Sequence, residues 1–365
     1  MVPALARPLR PSGYQMINSI DIKNFRCFEH LSIDGIKRFN VIVGENGAGK
    51  TALLEAIFLA LSGNAEVSVR LKHQRGFDAT YAGAPRAIEE AIWRDYFFNL
   101  EWSRLIEVEL NGTGSEARCL RISRGVSELL IPFEGYEQKE GAGPVPLVFS
   151  WRDASGHWHP STPRVTSQGI QLGASDEELP NFFFFPANQT VPASENAARL
   201  SEIRKNRRER EFVRTFTREF PWFDDLTIEV TGGLPMIHVK FKDEKAILPL
   251  NVVSGGINRI LGVMLAISSR SSSVVIVDEM ENGLYYKHKP SLWRAIMNLG
   301  RKNNAQMFVS THDEEWLNAL IEAADEKVDD ISLWRMERLS GGKRVLRQFT
   351  GKSLKSTIAI GGEMR

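Results

Sequence analysis

Residues 39–51 read FNVIVGENGAGKT, and the rest of the chain is interpreted outward from them. The run Phe39 to Val43 is short, apolar and β-branched and stops at Gly44. That pattern predicts a buried strand running into a glycine-rich loop. Gly44-Glu45-Asn46-Gly47-Ala48-Gly49-Lys50-Thr51 fits G-x-x-x-x-G-K-[ST] in full. Glycines let such a loop wrap so that backbone N–H groups point at phosphate oxygens; a lysine here supplies a point charge, and a threonine hydroxyl ligates Mg²⁺. The following TALLEAIFLALSG places Leu53, Leu54, Ile57, Phe58 and Leu61 at helical spacing, with Gly63 expected as the C-cap. Its positive end would face the same anion. The competing reading, a glycine-rich turn that binds nothing, is disfavoured by the strand before the loop and the helix after it. ATP and Mg²⁺ are the expected ligands.

A second apolar run, Val274 to Val277, ends in Asp278-Glu279. In P-loop proteins an acid at this strand end holds Mg²⁺, and a second acid beside it is placed to polarise the attacking water. A third run, QMFVST, is followed by His312, which is placed to hydrogen-bond a γ-phosphate or that water. Val253-Ser254-Gly255-Gly256 precedes the apolar stretch INRILGVMLAIS, so a hydroxyl and glycine N–H groups sit at a predicted helix N-terminus, an anion site. Glu281-Asn282-Gly283-Leu284 follows the carboxylates directly.

The set GENGAGKT, VSGG, VDEMENGL and STHD, in that order, resembles the ABC-type ATPases of the RecF/SMC/OLD branch. IKNFRCF near the N-terminus and QMFVSTHDEEWL near the C-terminus are similar to the same branch. The resemblance spans Met16 to about Asn318 and is weak through 65–180. It implies two heads that sandwich two ATP molecules, each ATP lying on the phosphate loop of one head and capped by the signature serine of the other. By that resemblance Ser254, Gly255 and Gly256 contact the partner's γ-phosphate, Glu279 is the hydrolytic base, His312 is the switch histidine, and Glu281 and Asn282 belong to a loop crossing the dimer interface. It also offers Gln189 as the Q-loop glutamine and Arg26 as a phosphate-side arginine. The chain departs from the pattern in Val253, where the signature usually has leucine, and in Tyr285, where OLD-like relatives carry histidine. Leu339-Ser340-Gly341-Gly342-Lys343 matches the signature more literally, but strands flank it and it follows the histidine. It reads as a hairpin turn.

The expected fold is α/β: a P-loop NTPase of the ABC-ATPase head type, with a parallel sheet core, an antiparallel β subdomain and a helical lobe carrying the signature. Residues 1–15 read as a flexible leader. Residues 16–365 read as one head, in which 16–190 hold the phosphate loop and β subdomain, 191–270 the helical lobe, and 271–365 the carboxylates, the histidine and a terminal hairpin. Strands are expected at LIEVEL, RCLRIS, LLIPF and PLVFSW, loops at 134–146 and 153–175, an aromatic strand at Phe182 to Phe185, a basic helix over 195–220, and strands at LTIEV and MIHVKF.

Composition sets outer bounds. In 365 residues, 46 Lys+Arg against 45 Asp+Glu give a net charge of +1, so any nucleic-acid footprint must be local. The stretch 195–220 is the one candidate. Its eight Arg/Lys face five Glu, and a helix balanced by its own glutamates is the stronger reading of so small an excess. Cys27 and Cys119 build no disulfide framework, and no window is apolar enough for a transmembrane helix; a cytoplasmic protein is expected. His157 and His159 lack a cysteine or carboxylate at ligand spacing and read as loop residues rather than a zinc site. The acidic run Asp325, Glu326, Asp329 and Asp330 lies where OLD relatives continue into a nuclease, but the segment after His312 is too short for one, and no heptad arm is present. The reading is an ATPase that dimerises on ATP and acts as a switch in DNA maintenance or anti-phage defence. Its expected partners are a second copy, a separately encoded effector protein, and DNA or RNA where the basic segment engages one. The alternatives are an ATP-gated protein-binding module, a transporter energy subunit, for which a membrane partner would be needed, and a ring-forming remodeller.

Overall fold

The structure is a computed structural model that describes residues 16–76, 85–112, 118–125, 146–153, 155–166, 169–172, 181–187, 191–282, 289–324 and 328–350. The leader 1–15, the LLIPF stretch, most of the 134–146 loop, Gln189, Gly283 to Tyr285, and Asp325 with Glu326 lie outside those residues.

The chain runs β1 (Ile17–Phe25), β2 (Phe28–Asp34), β3 (Phe39–Val43), α1 (Lys50–Leu61), α2 (Glu66–Gln74), α3 (Pro85–Trp93), β4 (Ile106–Gly112), β5 (Arg118–Arg124), β6 (Leu147–Arg152), β7 (Trp158–Ser161), β8 (Arg164–Thr166), β9 (Gly169–Gln171) and β10 (Asn181–Phe185). It continues through α4 (Ala193–Lys205), α5 (Glu209–Glu219), β11 (Phe223–Thr231), β12 (Leu234–Phe241), β13 (Ile247–Pro249), α6 (Leu250–Val253) and α7 (Gly255–Ser269). Last come β14 (Ser273–Val277), α8 (Lys289–Lys302), β15 (Gln306–Ser310), α9 (Glu314–Ala324), β16 (Ile331–Arg338) and β17 (Arg344–Thr350).

The central sheet has the order β10-β14-β15-β3-β16-β17, and only β17 runs antiparallel. Strands β3, β14 and β15 are buried along their whole length, as a parallel sheet covered on both faces requires. The period of two divides their side chains. Val41, Val275, Val277, Met307 and Val309 join the core of α7, α8 and α9, whereas Ile42, Val274, Ile276 and Phe308 join the core of α1. Beyond α1 lies an antiparallel sheet of order β2-β1-β4-β5-β6-β7, so α1 is sandwiched between two sheets and every residue of it but Thr51 is buried. A three-stranded sheet, β11-β12-β13, packs on α4 and leads into α6 and α7.

The α/β head architecture expected from the sequence is the one observed. Three local expectations are corrected. Helix α1 stops at Ser62, whose extended backbone and hydroxyl, donating to the Leu59 carbonyl at 2.7 Å, close it without Gly63. The basic helix is two helices: Arg207 adopts φ 57°, the left-handed position that glycine usually fills after a helix, and the N–H of Arg208 caps the Ile203 carbonyl at 3.1 Å. The 153–175 loop contains β7, β8 and β9, and β7 adds an edge strand to the antiparallel sheet. No helix among the described residues is long and apolar enough to cross a membrane.

Candidate functional site

Strands β14, β15 and β3 are parallel neighbours, so the loops that follow them leave the sheet at the same edge. The Thr311 N–H donates to the Ile42 carbonyl at 3.1 Å, which fixes the His312 loop beside the loop after β3. This is the carboxyl end of a parallel sheet, where α/β folds bind their ligands.

The 44–51 loop takes a shape that only glycine allows. Gly44 has φ 142°, and a Cβ there would lie 2.2 Å from the Met336 carbonyl oxygen of β16. Gly49 has φ 117°, and its Cβ would meet Cys27 Sγ at 2.9 Å. Gly47 is also left-handed, at φ 76°, but faces open space. Lys50 folds back over the loop and donates from Nζ to the carbonyls of Gly44 (2.6 Å) and Glu45 (3.0 Å). Burial pulls its ammonium below the ordinary lysine range, while the carboxylates of Asp278, Glu279 and Glu281 oppose that shift.

The carboxylates of the second motif meet this loop directly. Thr51 Oγ1 donates to Asp278 Oδ2 at 2.9 Å, and Ser310 Oγ donates to Asp278 Oδ1 at 2.5 Å. The hydroxyl of Thr51 and the carboxylate of Asp278 form a hard-oxygen pair suited to Mg²⁺. Ser310 was quoted within the third motif but given no role by sequence. Its hydroxyl also accepts from the Glu279 N–H at 2.9 Å, and its carbonyl accepts from the Met280 N–H at 3.1 Å. Glu279 is held at φ 53°, a conformation that costs a non-glycine residue about 1–2 kcal/mol. Strain of that kind concentrates at functional positions. Asn282 Nδ2 donates to Glu279 Oε2 at 3.0 Å and to the Ala187 carbonyl at 3.1 Å, locking the turn. His312, with Gly44, Glu45 and Asn46, lines a cleft of about 330 Å³. The structure thus brings together Gly44 to Thr51, Asp278, Glu279 and His312.

Ser254 sits apart from them. It is the N-cap of α7, its hydroxyl accepts from the Ile257 N–H at 3.3 Å, and its backbone bonds stay within α6 and α7. Gly255 is exposed, and a Cβ there would touch nothing. One helical turn on, however, lies a residue that sequence reasoning missed. Arg259 is 6% exposed and donates to the carbonyls of Asp278 (2.5 Å), Pro186 (2.5 Å) and Phe185 (3.3 Å). It joins the helix that carries Ser254 to the backbone that carries the carboxylates. The only signal in the sequence was an arginine inside an otherwise apolar helix.

Arg26, expected on the phosphate side, is held by charge partners at one wall of a cleft beside the phosphate loop. Its guanidinium pairs with Glu55 (2.8 Å) on α1 and Asp95 (3.3 Å), and stacks on Tyr96 at 4.9 Å. Glu55 and Asp95 are paired in turn with Arg75 and Lys72, so the arginine belongs to a part-buried charge network pinning α2 to α1. That cleft, of about 780 Å³, is lined by Arg26 with Cys27, Phe28, Phe98, Lys343 and Arg344 among others. Leu339 to Lys343 form the tight turn between β16 and β17, with Gly341 and Gly342 both at φ 83°, as expected of a hairpin rather than a signature. That hairpin reaches the phosphate loop, since Arg344 Nε donates to the Ala48 carbonyl at 3.2 Å. His157 and His159 are hydrogen-bonded to Ser155 and Asp153.

Two AAA-domain families match the chain. One matches residues 19–115; the other, whose description links it to the AbiEii toxin of type IV toxin–antitoxin systems, matches residues 162–318. An ATP/GTP phosphatase of Helicobacter pylori is 22% identical over 335 residues, covering 86% of this chain and 89% of that protein. The DNA replication and repair protein RecF of Bacillus mycoides is 49% identical over 43 residues, and structural maintenance of chromosomes protein 6 of Saccharomyces cerevisiae is 43% identical over 60. These last two matches span only 12% and 5% of those relatives. The crystal structure of an Smc head bound to the C-winged helix domain of ScpA superposes with a TM-score of 0.51 at 14% identity, covering 93% of this chain and 99% of that one. The fold is that of a P-loop ATPase head of the RecF/SMC type.

Proposed function

We propose that this chain, an ATPase built on a RecF/SMC-type head, binds Mg-ATP across the ends of β3, β14 and β15, closes on a second copy when it does so, and reopens on hydrolysis. One observation carries the reading: Thr51 and Asp278 lie 2.9 Å apart beneath a glycine loop whose shape Gly44 and Gly49 dictate, with Glu279 and His312 at the same sheet edge. Thr51 and Asp278 would hold Mg²⁺, which when bound neutralises phosphate charge. Lys50 leaves the Gly44 and Glu45 carbonyls for the phosphates, and the loop from Glu45 to Ala48 wraps them. Glu279 takes the proton of the attacking water, with its carboxylate oriented by Asn282, and His312 reads the γ-phosphate end from the cleft it shares with Glu45 and Asn46. The larger cleft by Cys27 and Arg344 gives room for the nucleoside end. Ser254 and Gly255, at the accessible start of α7, with the buried Gly256 behind them, cap the partner's ATP.

For biology, we place the chain in DNA maintenance or anti-phage defence, as an ATP-gated switch working with a separate effector protein. The toxin–antitoxin description at 162–318 and the short RecF match support this. Within the basic segment, Arg199, Arg204 and Lys205 are paired with Glu195, Glu209 and Glu202, and Arg208 is turned onto Asn303 and the Ser268 carbonyl. Arg207, Arg210 and Arg214 remain exposed with no ion pair among the described residues, a small footprint for DNA or RNA phosphates.

The test is the solution mass of the Glu279→Gln protein by light scattering, with and without Mg-ATP. Doubling only with ATP is expected; an unchanged mass with ATP demonstrably bound overturns the two-head clamp. An ATPase rate that neither DNA, RNA nor a co-purifying protein alters overturns the switch role.

A further inference from the structure

We infer that Glu281 is a positioning residue for the ATPase reaction: its carboxylate fixes the ring of His312 and thereby decides which imidazole nitrogen faces the phosphate cleft. The inference rests on the reading of His312 as the residue that senses the γ-phosphate end. It also departs from what the family resemblance implies, in which Glu281 belongs to a loop directed at the partner head.

The Glu281 side chain turns inward and is 8% exposed. Its Oε1 accepts two bonds from the same residue, the backbone N–H of His312 at 2.9 Å and the ring Nδ1 at 2.8 Å. The His312 ring itself is half exposed. A carboxylate has no proton to give, so Nδ1 carries the hydrogen of the shared bond, and Nε2 is the nitrogen left for the cleft. The backbone contact matters as much as the ring contact. It holds the residue at both its main chain and its side chain, which removes the rotation that would swap the two nitrogens. Glu281 Oε2 is buried and has no hydrogen-bond partner among the described residues, so His312 takes every hydrogen bond that this carboxylate makes there. A buried, half-satisfied carboxylate is costly, and it is tolerated where it orients another group.

A second tie makes the arrangement rigid. Lys289, 5% exposed, pairs with Asp313 Oδ2 at 2.5 Å and Glu315 Oε2 at 2.7 Å. Burial works against its charge, but those two carboxylates hold the ammonium above the ordinary lysine range. The His312 loop is therefore fastened on one side to Glu281 and on the other to Lys289, both from the segment that follows β14. The geometry has the logic of a base oriented by a third group, with His312 in the middle and Glu281 behind it.

The experiment uses the full chain and a double-mutant cycle. The variants are Glu281→Ala, Glu281→Gln, His312→Ala and the Glu281→Ala/His312→Ala pair, each assayed for kcat and KM with Mg-ATP. Outer-sphere partners of this kind typically matter about 10–100-fold. Glu281→Ala should lower kcat by about that factor with KM changed less than about 3-fold. Glu281→Gln, whose amide oxygen still accepts both N–H groups, should recover most of the loss. The double variant should be no slower than His312→Ala alone. Long-range ¹H–¹⁵N spectra should show His312 protonated at Nδ1 in the parent and Glu281→Gln proteins, and mixed in Glu281→Ala. Wild-type kcat in Glu281→Ala, losses that multiply in the double variant, or an unchanged ring signature would each overturn the inference. Should Glu281→Ala not fold, Glu281→Asp, which withdraws the oxygen by one methylene, is read by the same criteria. If His312→Ala hydrolyses ATP at the parent rate, the sensor reading itself fails; if it is slow while Glu281→Ala is not, only the role of Glu281 fails.

Discussion

Replacing Arg259 gives a test whose outcome depends on the chemistry of its three contacts. The guanidinium is 6% exposed and has no carboxylate ion-pair partner among the described residues; burial lowers its pKa, while Asp278, Glu279 and Glu281 pull the other way at longer range. In Arg259→Met the Phe185 carbonyl keeps the Asp278 N–H at 2.9 Å, but the carbonyls of Pro186 and Asp278 lose their side-chain donor. The orphaned Asp278 acceptor is buried and costs about 1–3 kcal/mol, the part-buried Pro186 carbonyl less. Part of that returns, because a desolvated cation is no longer buried. A net loss of about 1–3 kcal/mol is expected. At about 2.1 cal/mol/K of unfolding entropy per residue over 365 residues, this is a fall in Tm of about 1–4 °C. Arg259→Lys is the discriminating variant. An ammonium on a single stem cannot span three carbonyls, so it keeps the burial cost and loses the fork geometry. Lysine should therefore be less stable than methionine, the reverse of the order that conservation of charge suggests. Both variants should lose more ATPase rate than nucleotide affinity, since the backbone of Asp278 moves while the phosphate loop does not. Thermal unfolding followed by circular dichroism, with kcat and the ATP Kd, measures all of this. A lysine variant as stable as the parent would refute the bridging account.

Gly44→Ala should abolish nucleotide binding and lower the yield of folded protein, because its Cβ would sit 2.2 Å from the Met336 carbonyl, whereas Gly47→Ala should cost only the strain of a left-handed alanine, about 1–2 kcal/mol, in chemical denaturation. Glu279→Gly and Glu279→Ala should be equally inactive in ATP turnover, yet the glycine variant should be the more stable by about 0.5–1 kcal/mol in urea titration, since glycine adopts φ 53° without strain; equal midpoints would deny the strain. Burial pushes the Cys119 thiol up to about 11, with Glu107 and Glu109 adding to it. A group whose pKa rises on folding stabilises fully below its unfolded value and loses that contribution above it, so the parent should lose stability between about pH 9 and 11 relative to Cys119→Ala. Cys119 should also resist alkylation at pH 8 until the chain is denatured.

The elements around the nucleotide were the legible part of this sequence, and for a physical reason. Strands β3, β14 and β15 are buried on both faces, so they appear as short apolar runs, and each ends at a residue pattern that phosphate and metal chemistry restricts. The boundaries that were missed turn on a single side chain each. Ser62 ends α1 with its hydroxyl, where glycine was expected, and Arg207 takes a left-handed turn that sequence propensity assigns to glycine or asparagine. The edge strands β7, β8, β9 and β13 are short and half exposed, and carry no apolar alternation to read. The ion pairs of Arg26 were not legible because its partners, Glu55, Asp95 and Tyr96, come from segments 29 to 70 residues away that nothing in the local motif identifies.

In the proposed two-head clamp, a contact made at Ser254 would reach the carboxylates through Arg259 and Asn282. Ser254 and Arg259 lie on one helix, five residues and about 7.5 Å of rise apart. Arg259 holds the Asp278, Pro186 and Phe185 carbonyls, the Asp278 N–H holds Phe185 again, and Asn282 holds Ala187 while it orients Glu279. The end of β10 is thus a shared anchor for α7 and for the turn carrying Glu279. None of these bonds is an exposed surface pair; each ends on a backbone carbonyl or on the part-buried Glu279 carboxylate. A displacement of the Ser254 end of α7 would therefore not be absorbed within α7 alone, because Arg259 would have to break short bonds to the same backbone that positions Asp278. That backbone also presents the Glu279 N–H to Ser310, whose hydroxyl donates to Asp278. Asp278 and Glu279, the proposed metal-side acid and base, are consequently set by one hydroxyl, and α7 is fastened one residue away from it.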